Sequence, residues 1–199
     1  MNQVLAIHGG NSFASYEEFI ADLLQKVVRL EFPSQLGWRS NLPAVLGEEY
    51  EVILPRMPNG EYAKYLEWKI WFEKHIPYLR DGVVLVGHSL GAVFLAKYLS
   101  EEAPLPMHIG SVHLVAPPFD SDDGRRLVEF DITNDLVGLS VQVERIFLYH
   151  SSDDPVVPFA ELEKFRALLP HATVRTFTDR QHFNQPEFPE LVDDIRSLR

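Results

Sequence analysis

Val83-Val84-Leu85-Val86-Gly87-His88-Ser89-Leu90-Gly91-Ala92-Val93-Phe94-Leu95-Ala96 is the stretch from which the rest of the chain can be ordered. Its first four residues are apolar and mostly β-branched, and read as a strand buried on both faces. From Ala92 an apolar run with helical period begins, and only Gly87 to Gly91 separate the two. A strand passing into a helix through G-x-S-x-G predicts a tight turn with Ser89 at its apex. The glycines have a physical reason. Strand and helix approach closely at such a turn, and the flanking positions must leave room for that approach. The plain alternative is a glycine-flanked strand-to-helix turn with no chemistry, so the motif needs support from the rest of the chain.

Outward from this stretch, strand-like and helix-like segments alternate. Short apolar runs recur at Val4 to Ile7, Tyr50 to Leu54, Val83 to Val86, Ser111 to Val115, Arg145 to Tyr149 and Thr173 to Phe177, each read as a strand buried on both faces. Helical period marks Ser15 to Lys26, Ala63 to Phe72, Ala92 to Ser100, Ala160 to Leu169 and Glu187 to Leu198. Gly82, Pro104, Pro106, Pro158 and Pro170 stand at the expected boundaries. Such alternation predicts an α/β architecture, a parallel sheet with helices on both faces. Pro33, Gly37 and Pro43 break up the segment from Glu31 to Gly47, and Phe119 to Val143 has no clear period, so short helices and loops are expected in both.

Composition narrows the function. The 199 residues suit one domain, 1–199, and include no repeat or Gly/Ser linker. No cysteine is present, which removes disulfides, thiolate metal sites and thiol nucleophiles and leaves Ser, Thr, Lys or a carboxylate for covalent chemistry. With 18 Lys and Arg against 29 Asp and Glu, the formal net charge is −11. That balance opposes nucleic-acid and anionic-membrane partners, and disfavours strongly anionic substrates. The start, Met1 to His8, lacks a basic region and a long apolar core, and no stretch has the roughly 18 apolar residues of a membrane span. A soluble cytoplasmic protein is the expectation.

A serine hydroxyl needs a base and a group to orient that base. Of eight histidines, His75, His108, His113 and His171 read as packing or surface residues, while His8, His88 and His150 lie near strand ends. His182, in the loop between the last strand and the last helix, can swing over the carboxyl edge of the sheet and is the candidate base. The candidate acid is Asp154, in Ser152-Asp153-Asp154-Pro155-Val156-Val157-Pro158 after the fifth strand. Pro155 braces it and Val157 is expected to pack inward, whereas Asp153 reads as a solvated neighbour. Asp179, three residues before His182, is the rival acid. After the first strand, His8-Gly9-Gly10-Asn11 can turn a backbone N–H towards an oxyanion. Gly10 and Leu90 are the expected donors, with Asn11 the alternative to Gly10.

Taken together, His8-Gly9-Gly10, Gly87-His88-Ser89-Leu90-Gly91, Asp154-Pro155-Val156-Val157-Pro158 and His182 stand in the Ser, Asp, His order of the α/β-hydrolases, which the chain resembles from Val4 to about Ile195. The ending Asp179-Arg180-Gln181-His182-Phe183-Asn184 is similar to that of a compact subgroup of small serine hydrolases that includes retinoblastoma-binding protein 9. The resemblance implies a minimal α/β-hydrolase fold with a doubly wound, mostly parallel six-stranded sheet, no metal and no cofactor. It also implies hydrolysis of ester or amide bonds through an acyl-serine intermediate, with Ser89, His182 and Asp154 as the triad and Gly10 and Leu90 at the oxyanion hole. Many relatives have Gly before the catalytic His, where this chain has Gln181. Only about thirty residues lie between the fourth strand and Arg145, too few for a large lid, so an open crevice for small, soluble ester or amide substrates is expected.

Two other function classes compete. One is a catalytically idle fold that binds a protein, of unknown identity. The other is an acyltransferase or haloperoxidase-like activity on the same triad. Tyr62, Tyr65, Trp68, Trp71 and Phe72 form an aromatic stripe read as core packing rather than a cleft wall. Asp120-Ser121-Asp122-Asp123-Gly124 departs from calcium-loop spacing and reads as a solvated loop. Met57, Phe119, Phe159 and Phe183 are candidates for shaping a pocket.

Overall fold

A computed structural model describes residues 1–27, 37–121, 127–133 and 135–197. Six strands, β1 (Asn2–Ile7), β2 (Tyr50–Ile53), β3 (Val83–His88), β4 (Ile109–Val115), β5 (Ile146–Ser151) and β6 (Thr173–Phe177), make one sheet in the order β2-β1-β3-β4-β5-β6. Every neighbouring pair is parallel. Between them run α1 (Tyr16–Gln25), α2 (Trp38–Leu46), α3 (Tyr65–Glu73), α4 (Leu90–Glu101), α5 (Val137–Gln142) and α6 (Ala160–Leu168), and α7 (Pro189–Arg196) closes the described chain. The order reverses at β1, whose neighbours are β2 on one side and β3 on the other, and ligands of open α/β sheets bind beyond the carboxyl ends at such a reversal.

Strand alternation divides the core in two. Leu5, Ile7, Val83, Leu85 and Leu148 face one way and pack with Trp68, Phe72, Phe94 and Phe165 from α3, α4 and α6. Val4, Ala6, Val84, Val86, Phe147 and Tyr149 face the other way, against Trp38, Leu42, Leu191 and Ile195 from α2 and α7. This is the period-2 pattern of a sheet covered on both sides. The outer strands depart from the expectation of full burial: β6 is exposed at three of its five residues, and β2 is only partly buried beyond Tyr50. An edge strand lacks a neighbouring strand on one side, so more of its surface stays open to solvent. The segment around Pro43 forms the short helix α2, which runs through the proline. Trp38, Leu42 and Leu46, four residues apart, anchor it to the second core layer and outweigh the hydrogen bond that Pro43 cannot make. The start of that irregular segment at 31–36, the calcium-like residues 122–124 and Leu198 lie outside the described residues.

A buried polar chain crosses the second layer. Ser111 Oγ donates to His113 Nε2 (2.9 Å), His113 Nδ1–H donates to Tyr149 Oη (2.8 Å), and Tyr149 donates to Asp194 of α7 (2.8 Å). Arg175 of β6 closes the chain with a two-pronged contact on the same carboxylate. The directions follow from the ends, because a carboxylate only accepts and a guanidinium only donates. His113 is fully buried and stacks on Phe147 at 4.5 Å, and burial pushes its pKa down to about 3. An unfolded-chain histidine titrates near 6.5. Between those values the unfolded state binds the extra proton, so the stability His113 contributes is complete above about pH 6.5 and is lost as pH falls, by about 1.4 kcal/mol per unit. Urea unfolding at pH 7.5 and 5.0 checks this. His113→Gln should reduce the loss of stability on acidification by about 2 kcal/mol, and an unchanged pH dependence would refute it.

Candidate active site

Ser89 sits between β3 and α4 at φ 53° and ψ −119°, in the left-handed half of backbone space that non-glycine residues seldom occupy. Its N–H donates to Val115 O of β4 (2.8 Å), and its carbonyl accepts from Ala92 and Val93 in the first turn of α4 (2.9 and 3.2 Å). The flanking glycines are sterically required. A Cβ on Gly87 would lie 2.5 Å from Gly91 O, and one on Gly91 would lie 2.6 Å from His8 O and 2.8 Å from Ile7 O. The sequence therefore folds into the predicted sharp turn, with Ser89 at its tip.

Asp154 follows β5. Its carboxylate is fully buried and accepts the N–H groups of Val156 (2.8 Å) and Val157 (3.0 Å), and Val157 packs inward as expected. His182 Nδ1 meets both carboxylate oxygens, at 2.9 and 3.2 Å. Burial by itself raises the Asp154 pKa, but the hydrogen bond and charge of His182 and the two amides outweigh it and hold the carboxyl below its ordinary value. Asp179, the rival acid, is 77% exposed and contacts Arg180 instead. Asp153 is more than a solvated neighbour: it accepts Ser151 Oγ and the Gln181 N–H (2.9 Å), and the Ser151 hydroxyl holds its pKa down. These contacts support Gln181 at φ 46°, a conformation glycine adopts without strain, at the position where the resemblance led one to expect glycine.

His88 links this pair to the serine. Its Nε2–H donates to the His182 carbonyl (2.9 Å), and the two rings lie 4.9 Å apart. Burial, then the charge His182 can carry, push the His88 pKa to about 3, so it stays a neutral donor. Trp38 Nε1–H holds the next carbonyl, that of Phe183 (2.8 Å). The Ser89 hydroxyl makes no hydrogen bond to His182, whose Nδ1 is engaged by Asp154.

Across the sheet reversal, the loop after β1 reaches the same place. Asn11 N–H donates to Gly60 O (2.8 Å), so it is occupied, which leaves Gly10 as the free donor of the two. A Cβ on Gly10 would lie 2.6 Å from Gly60 O, and one on Gly9 3.3 Å from Ser89 Cβ. Gly10, Ser89 and Leu90 border one cleft of about 560 Å³, with Leu127, Val156 and Val157 on its apolar side. Glu18, Ala21, Asp22 and Gln25, one face of α1, form its opposite wall. Nothing in the sequence singled out that wall, because it depends on where α1 lands rather than on any motif. Met57, Phe119, Phe159 and Phe183 do not border the cleft; Met57 and Phe183 are core residues, Phe119 packs on Phe165 and Phe159 on His150. The aromatic stripe is divided, with Trp68 and Phe72 in the core, Trp71 39% exposed and Tyr62 stacked on Phe19 of α1. Among the described residues no cluster of His, Asp or Glu has the arrangement to hold a metal ion, and no helix is long and apolar enough to cross a membrane.

Comparison with known proteins places the chain in a family. The sequence model of the serine hydrolase family matches residues 34–187. The serine hydrolase RBBP9 of Rattus norvegicus is 24% identical over 163 residues, covering 81% of this chain and 84% of the relative. Among solved structures, the ydeN gene product of B. subtilis superposes with a TM-score of 0.76 at 20% identity, covering 100% of this chain and 98% of that one. A putative yden-like hydrolase from Pectobacterium atrosepticum gives 0.67 at 15% identity, with coverages of 99% and 92%. Both structures share the α/β-hydrolase fold with this chain.

Gly91 offers a test whose sign is informative. In an ordinary helix, Gly→Ala stabilises by roughly 1 kcal/mol. Here Gly91→Ala forces a methyl onto the end of β1, and thermal unfolding should show a loss of about 1–3 kcal/mol. A stabilised variant would contradict the close approach.

Proposed function

The chain belongs to the serine hydrolase family, and we propose that it cleaves carboxylic ester or amide bonds of small substrates through an acyl-Ser89 intermediate. The observation that carries this reading is the buried Asp154 carboxylate on His182 Nδ1, which leaves Nε2 as the nitrogen that can take a proton, in a fold that also holds Ser89 in the left-handed region at a sharp turn. Asp154 fixes the tautomer and stabilises the imidazolium once it forms.

In the first step Ser89 Oγ attacks the acyl carbon while its proton passes to His182 Nε2, a contact that tightens when substrate is bound. The carbonyl π bond opens, and the resulting oxyanion is held by the Gly10 and Leu90 N–H groups, with the N-terminus of α4 adding a favourable field. On collapse of the tetrahedral species the bond to the alcohol or amine breaks, and His182 returns the proton to that leaving group. Water, deprotonated by His182, then attacks the acyl-serine, and Ser89 leaves with the proton as the acid is released. The cleft volume of about 560 Å³ fits a small substrate, its acyl part against Leu127, Val156 and Val157. A protein-binding module has no need of a non-glycine residue in the left-handed region at the bottom of a cleft, nor of a buried carboxylate aimed at an imidazole.

A fluorophosphonate probe should label the wild type and not Ser89→Ala, and short p-nitrophenyl esters should follow the same pattern. Equal labelling of the two proteins would remove Ser89 as nucleophile. Asp154→Asn keeps the shape and leaves the imidazole in the wrong tautomer, so kcat should fall by about 10⁴ with little change in KM. A fall of less than tenfold would show that Asp154 does not serve His182 in this way.

A further inference from the structure

The His8 imidazole has no part in the proton transfers above, yet both its nitrogens are engaged. Met57 N–H points at Nε2 (2.9 Å), and Nδ1 makes a short contact with Gly9 O. A backbone N–H can only donate, so Nε2 carries a lone pair, and the neutral ring has its proton on Nδ1. Nδ1–H therefore donates to the Gly9 carbonyl. Burial lowers the His8 pKa, in keeping with an uncharged ring. The ring is boxed in: Trp68 packs edge-on at 5.6 Å and is itself held through Nε1–H to Pro58 O, and Gly60 comes so near that a Cβ there would lie 3.2 Å from His8 Cε1.

The Gly9–Gly10 peptide is trans, so its N–H points opposite to its carbonyl. With Gly9 O drawn to His8, Gly10 N–H is turned away from the imidazole, on a residue that borders the cleft beside Ser89 and Leu90. Two consecutive glycines leave this peptide few intrinsic preferences, and a half-turn would present a carbonyl oxygen where a donor is needed. We propose that His8 is the positioning residue of the oxyanion hole: its Nδ1–H holds the Gly9–Gly10 peptide in the orientation that aims Gly10 N–H at the acyl oxygen on Ser89. The proposal rests on the acyl-Ser89 reading above. It gives His8 a role in the transition state and none in holding the ground-state substrate.

The test is steady-state kinetics on a p-nitrophenyl ester with wild type, Ser89→Ala, His8→Leu and His8→Asn, with thermal unfolding alongside. His8→Leu fills the space without a donor, and kcat should fall about 100-fold with KM within about threefold, the cost of disabling one oxyanion donor. His8→Asn places an Nδ2–H where Nδ1–H stood and should recover at least about tenfold of that loss. A folded His8→Leu with kcat within about threefold of wild type overturns the proposal, and so does a His8→Asn no faster than His8→Leu. If His8→Leu does not fold, imidazole ¹⁵N NMR of the wild type decides: a neutral ring protonated on Nδ1 supports the clamp, and protonation on Nε2 overturns it. Wild-type turnover no greater than that of Ser89→Ala takes away the hydrolase reading itself. Wild-type turnover with an indifferent His8→Leu removes only the positioning role.

Discussion

The approach of α4 to the end of β1 is the constraint on which the site depends. Gly91 lies so close to the Ile7 and His8 carbonyls that no side chain fits, and Gly87 lies as close to Gly91. Because the two elements meet backbone to backbone at Gly91, the turn carrying Ser89 and the loop carrying Gly10 are registered to each other with little room for adjustment. The strained backbone of Ser89 is the local cost of that contact, and burial of all ten residues from Leu90 to Leu99 in the sheet-covering helix offsets it. The proposed nucleophile and the proposed oxyanion donors thus come from one packing decision rather than from separate features.

Much of this was legible in the chain because it is local. Apolar runs bounded by glycine and proline located six strands, and Thr173–Phe177 agrees residue for residue with β6. G-x-S-x-G between a strand and a helix specified the turn, and Pro155 with Val157 distinguished Asp154 from Asp153. What was hidden is what depends on partners far along the chain. His88 and His182 are 94 positions apart and His8 and Met57 are 49 apart, and no spacing rule connects them. The α1 wall of the cleft likewise depends on tertiary placement. The edge strands were read as fully buried because a run of β-branched residues shows which strands are apolar, not which lie outermost. Gln181 tells the opposite story, where an unfavourable residue is tolerated because Asp153 and Ser151 hold the loop from outside.

Neutral histidines are a recurring structural device here. His8, His88 and His113 are each driven towards the uncharged form by burial, and each ties its own stretch of chain to a segment distant in sequence: His8 through a lone pair that accepts the Met57 N–H, His88 through an N–H to the His182 carbonyl, and His113 through an N–H to Tyr149. A neutral imidazole supplies a donor and an acceptor on one rigid ring, which suits it to holding backbone groups near a reacting centre. Two of the three surround the elbow. The third ties α7 to β4 and β5 in the second core layer, and α7 follows the loop that carries His182. The proton-transferring role proposed for His182 is thereby set apart by its partner, the Asp154 carboxylate, which none of the other three has.

Formation of an acyl-enzyme on Ser89 can be observed directly. Protein quenched in acid during turnover of a slowly hydrolysed ester should show, by intact-mass spectrometry, a mass increase equal to the acyl group less one hydrogen. Peptide mapping should place the whole increase on Ser89. An adduct on another residue, or an equal adduct on Ser89→Ala, would contradict a serine nucleophile at this elbow, and turnover with no adduct under any quench would contradict the covalent route.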